Sequence, residues 1–165
     1  MKLMSMRSYS AAIALATSVA LLAVSAQPRP GTMTGNGTAQ DEIGNTVQFD
    51  MSAALTDGPP AGSISLSAKT VDRANTVSVA TTELTALHFK EGTVHVLGPA
   101  IMRKPGPVGP AEFHGNLEVW VTGGDTSSLK AVFHSVEGYD AWEFSGQVKS
   151  GKIVITPPEA PITAR

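Results

Sequence analysis

The sequence predicts an all-β protein: an antiparallel hairpin meander of roughly nine strands closing into a β-barrel, with a β-sandwich as the alternative. Three observations carry that expectation. Apolar and polar residues alternate with period two in segment after segment, as in half-buried strands. Glycine (16) and proline (11) cut the chain into short pieces. Valine, serine and threonine crowd the pieces between them, a composition suited to strands.

Taken in order, the first strand runs from Gly31 to Ala39. Its glycines, Gly31, Gly35 and Gly37, suit a barrel wall, where they relieve crowding at bends or let two backbones approach. Val47, Phe49 and Met51 form the inward face of the second strand, and Ile64, Leu66 and Ala68 that of the third. Val77 and Val79 follow, then Leu87 and Phe89. The turn Lys90-Glu91-Gly92 leads to Val94 and Val96, with His95 on the opposite face. Leu117, Val119 and Val121 face inward, with Glu118 and Trp120 across from them, and Gly123-Gly124-Asp125 turns the chain. Ala131 and Phe133 form the next apolar face, with His134 opposite. Trp142, Phe144 and Val148 then alternate up to Ser150-Gly151, read as a tight turn before Ile153 and Ile155. Strands at this spacing, joined by short turns, form a meander, and closure leaves no edge unpaired.

Two short segments compete as helix. Ser52–Leu55 has room for one turn at most before Asp57-Gly58-Pro59-Pro60, and Thr82–Phe89 alternates as a strand. The stretch from Arg103 to Pro110 carries three prolines and is read as loop, because proline removes a ladder donor. Its two cations, Arg103 and Lys104, allow a partner-binding role, against the plainer one of a solvated connector.

The N-terminus divides the chain. Lys2 and Arg7 precede an apolar run from Ala11 to Val24 that ends in small residues at Ser25-Ala26. This pattern is a secretory signal peptide, with cleavage expected between Ala26 and Gln27. The alternative, an uncleaved anchor, needs about 20 apolar residues. The expected organisation is residues 1–26 as signal peptide, 27–156 as one β domain without a membrane span, and 157–165 as a proline-rich tail. The protein is therefore expected in the periplasm or the medium.

Composition narrows the chemistry. Cysteine is absent, which removes disulfides, thiol catalysis and thiolate metal sites. The net charge is -2 and no basic stripe occurs, so nucleic acid is not an expected partner. The four histidines, His88, His95, His114 and His134, show none of the tight spacings of metalloenzymes, and no metal or cofactor is expected. No strained G-x-S-x-G turn, phosphate loop or dinucleotide fingerprint is present. Weak ligand-contact candidates remain. Trp120, on a polar strand face and expected near Tyr139, offers a stacking surface for a sugar, and His114 and His134 offer polar contacts. The competing reading of Trp120 is an indole packed under neighbouring groups.

The order of the pieces resembles a family of small exported bacterial β domains, the post-choice-of-anchor-P family. The likeness rests on Gly31–Gly35 with Val47–Met51, on Pro60–Leu66, on Glu83–Leu87 with Gly92–Val96, and on Leu117–Asp125 with Trp142–Ile155. The chain departs from the family pattern at Thr122–Asp125, at Lys69-Thr70 and in the Arg103–Pro110 stretch. The resemblance implies a bacterial, exported β domain and transfers no site residue. Together these observations point to a non-enzymatic binding or structural module at or beyond the cell envelope, its partner a surface macromolecule or glycan. A small-ligand-binding barrel and a barrel-type hydrolase or isomerase are the alternatives.

Overall fold

The computed structural model describes residues 29–69, 76–106, 108–138 and 141–159. Residues 1–28, on which the expected signal peptide falls, Tyr139 and the end of the tail lie outside the described residues. The described residues form nine strands: β1 (Gly31–Gln40), β2 (Thr46–Leu55), β3 (Ala61–Lys69), β4 (Thr76–Thr81), β5 (Ala86–Lys90), β6 (Thr93–Gly106), β7 (Gly109–Thr122), β8 (Ser128–Ser135) and β9 (Ala141–Thr156). Their order is β4-β3-β2-β1-β9-β8-β7-β6-β5, all antiparallel, and β4 pairs also with β6. That pairing closes eight strands into a barrel and leaves β5 as an extra strand beside β6. The fold is thus the expected meander closed into a barrel, not a sandwich.

The strand faces follow the sequence alternation. Val47, Phe49 and Met51 of β2, Ile64 and Leu66 of β3, and Leu117, Val119 and Val121 of β7 are buried. An eight-stranded barrel encloses a space just wide enough for side chains to fill. Here Phe49, Phe133 and Phe144, with Met33, Met51 and Met102, fill it. Each large apolar side chain taken from water contributes about 1.5–3 kcal/mol, and this set replaces the disulfides that the chain lacks.

One polar group joins that interior. Ser135 is buried and its Oγ has no hydrogen-bond partner among the described residues. A buried hydroxyl without a partner keeps its desolvation cost. Ser135→Ala is therefore expected to raise stability by up to about 1 kcal/mol, read as a higher urea midpoint.

Where β4 gives way to β5, the wall is interrupted. Thr81 lies opposite Ala100 and Ala86 opposite Leu97, so four residues, Thr82–Thr85, face two, Gly98 and Pro99. The extra residues fold over Gly98, and both ends of the stretch stay bonded to β6. The Thr82 N–H donates to the Pro99 carbonyl (2.9 Å) and the Thr85 N–H to the Leu97 carbonyl (2.8 Å). Leu84 turns inward and is buried. β4 and β5 thus act as one broken strand running against β6, and no hairpin joins them. Ser52–Leu55 is the end of β2 and not a helical turn.

Two expectations are corrected. The Arg103–Pro110 stretch is not loop: β6 continues to Gly106, β7 begins at Gly109, and Pro105 stands opposite Pro110. The physical reason is that β4 pairs with β6 only as far as Arg103, while β8 pairs with β7 only from Gly115 onward. Beyond those points the hairpin is a two-stranded ribbon with no third strand among the described residues, and at such an edge a residue without an N–H is tolerated. Secondly, Ser150-Gly151 is no turn. β9 runs unbroken for 16 residues, and its register against β1 shifts between Thr38 opposite Ser150 and Ala39 opposite Val148. Lys149 is the extra residue of a β-bulge, which bends and twists the strand. The bulge moves the inward face from Phe144 and Val148 to Ile153 and Ile155.

Candidate functional site

Opposed residues on one face of an antiparallel sheet are the unit of side-chain interaction. On the outer wall the register places His88 of β5 opposite His95 of β6, His95 opposite Trp120 of β7, and Trp120 opposite Lys130 of β8. These four side chains form one row across four strands. Each points outward because its strand neighbours, among them Leu87, Val94, Val119 and Leu129, point into the core.

The half-buried Trp120 is the centre of the row. The His95 ring stacks on it with centroids 4.8 Å apart and planes at 7°. Lys130 Nζ lies 5.4 Å from the indole centre. β6 and β8 flank β7 on opposite sides, so the two groups reach the indole from opposite directions. A cation over an indole contributes about 0.5–1 kcal/mol at an exposed site. Carboxylates complete the arrangement: Glu118 Oε1 is 2.6 Å from His95 Nε2, and Glu143 Oε1 is 3.4 Å from Lys130 Nζ. Each of the two partners of the indole is thus held by an acid.

The predicted contact residues are not brought together. Trp120 lies in the row, already flanked by His95 and Lys130, so a sugar stacking on its face has to displace one of them. His114 is exposed on the outer face of β7, its Nε2 3.5 Å from Glu112 Oε1. The other Glu112 oxygen accepts from Arg103 Nε at 2.8 Å. Trp120 lies six positions beyond His114 on the same strand, about 20 Å away at the strand rise. His134 faces outward from β8, opposite Asn116. Tyr139 lies outside the described residues.

His88, His95, Glu118 and Lys130 are the site residues that sequence reasoning missed. Alternation gives their outward direction, but only the strand register makes them neighbours. The barrel surface also carries open grooves. One lies at the end of the barrel between Phe89, Gly123, Ile155 and Pro158, and another lies beside the hairpin tip between Ser78, Arg103 and Pro110. Comparison with protein-family models, curated proteins and solved structures returns no match.

Proposed function

We propose that this chain is an exported, non-enzymatic β-barrel module that binds or organises a partner through its outer surface at or beyond the bacterial cell envelope. The filled interior supports this reading. Phe49, Phe133 and Phe144 occupy the space where a lipocalin-type barrel holds its ligand. Recognition then belongs to the outside of the wall, where the row from His88 to Lys130 combines a large aromatic surface with paired charges. The signal-like N-terminus and the resemblance to exported β domains support export.

The test is to express the whole chain in a bacterium, recover it from outside the cytoplasm and screen the purified protein by thermal shift. The recovered chain is expected to begin at Gln27 by mass. Apolar small molecules are expected to leave the melting temperature unchanged, whereas a surface glycan or macromolecule that binds only the native state raises it by mass action. A saturable rise with an apolar small molecule, or retention of the intact chain in the cytoplasm, overturns the reading.

A further inference from the structure

His88 and His95 stand seven residues apart in sequence, and the β5–β6 hairpin sets them opposite one another. Their ring centroids are 6.0 Å apart and the planes are tilted by 31°. A histidine nitrogen binds a divalent transition ion at about 2.0–2.1 Å, and the ring centre lies about 1.1 Å behind that nitrogen. Two imidazoles sharing one ion therefore stand no more than about 6.4 Å apart, centre to centre. The observed spacing falls inside that limit.

The surroundings of His95 prepare it for such a role. Glu118 Oε1 lies 2.6 Å from its Nε2. An ionised carboxylate there accepts the Nε2 proton and leaves the lone pair on Nδ1. Metal-binding histidines are oriented in this way, one nitrogen donating to a carboxylate and the other binding the ion. The stacked indole of Trp120 holds the ring plane from its other neighbour. His88 is exposed, so an ion reaches the pair directly from solvent.

We propose that His88 and His95 form a two-histidine site for a divalent transition ion of the copper, nickel or zinc class. Glu118 is its positioning carboxylate, and water completes the coordination. Among the described residues no three histidine, aspartate or glutamate side chains gather around one point, so solvent supplies the remaining ligands. Imidazole ligands and the general order of divalent affinities favour copper(II) within this class. His88 and His95 belong to the row proposed as the partner surface, but ion binding needs only the two histidines and their carboxylate.

The full chain is titrated separately with copper(II), nickel(II) and zinc(II), each followed by tryptophan fluorescence and by thermal melting. One ion per chain is expected to bind saturably and reversibly, with release by a chelator. Copper(II) and nickel(II) are expected to quench part of the emission, because Trp120 lies on His95, and Trp120→Phe removes the quenched part. Zinc(II) raises the melting temperature without quenching. His88→Ala and His95→Ala each weaken binding by about tenfold or more, and Glu118→Gln weakens it by about tenfold, the usual cost of losing a supporting carboxylate. The double variant His114→Ala, His134→Ala binds as the parent does. His88 is exposed, so His88→Ala melts like the parent without metal. Unchanged affinity in His88→Ala, loss of binding in the His114, His134 variant instead, or no saturable effect with any of the three ions overturns the proposal.

Discussion

Replacing Phe133 with alanine is expected to lower stability by about 3–5 kcal/mol, the usual cost of removing a buried aromatic ring. Phe133 has no exposed surface and is the largest of the fully buried side chains. The cost has two parts. The lost apolar transfer energy comes first, and the cavity comes second, because a barrel wall tied by ladders on both sides of β8 cannot collapse inward to fill it. Gly115 of β7 makes the contact closer still. A Cβ built there would meet Phe133 Cζ at 2.6 Å, so the missing side chain at 115 is the space the ring occupies. Small domains are stable by only about 5–15 kcal/mol, so the substitution removes a large share of the total. The expected drop in melting temperature is on the order of 10–20 °C. Val154→Ala serves as the control: Val154 is 43% exposed on the outer face of β9, and its truncation is expected to stay within about 0.5 kcal/mol. Equal melting temperatures for the two variants would show that the interior is not the packed core described here.

Gly151→Ala is the second large effect, and it isolates the bulge. Gly151 adopts φ 89°, where an L side chain costs about 1–2 kcal/mol. It also faces Gly37 across the β1–β9 ladder, and an added Cβ would meet Asn36 O at 2.0 Å and Gly37 Cα at 2.5 Å. Both obstacles are backbone and cannot rotate away. Overpacking of this kind costs about 1–3 kcal/mol more, giving about 2–5 kcal/mol in all. Gly124 supplies the comparison. It has φ 98° but nothing within 4 Å of the position a Cβ would take. Gly124→Ala is therefore expected to cost only the backbone part, about 1–2 kcal/mol. Urea midpoints of the two variants, followed by tryptophan fluorescence, separate the contributions. If both variants shift by the same amount, the close approach of β1 and β9 is not what requires glycine at 151.

The bulge also shows how far the sequence was legible. Trp142, Phe144 and Val148 alternate on even numbers, and Ile153 and Ile155 on odd ones. The change of parity is visible in the sequence and marks an irregularity near Ser150-Gly151. Parity by itself does not distinguish a chain reversal from one inserted residue, since both shift the inward face. The prolines of the Arg103–Pro110 stretch posed the same kind of question. Proline excludes a ladder bond at its own nitrogen, but whether that nitrogen had a neighbour to bond depended on where β4 and β8 ended. The site was less legible than the fold. Trp120 stood out by its residue type, whereas His88, His95 and Lys130 became its row only through the register of four strands.

The sequence by itself determined the strand content, the inward faces and most turns of the meander. These properties are local: side chains alternate every two residues along any extended backbone, and turns with glycine, such as Glu91-Gly92 and Gly123-Gly124, mark where it reverses. Tertiary structure decided that β4 and β5 form one broken strand, that β9 bulges at Lys149, and that His95 and Lys130 flank Trp120. Those outcomes depend on pairings between residues 10 to 112 positions apart, from Trp120 with Lys130 to Thr38 with Ser150. A shift of one position in any such pairing changes which outer side chains meet, and no local pattern records it.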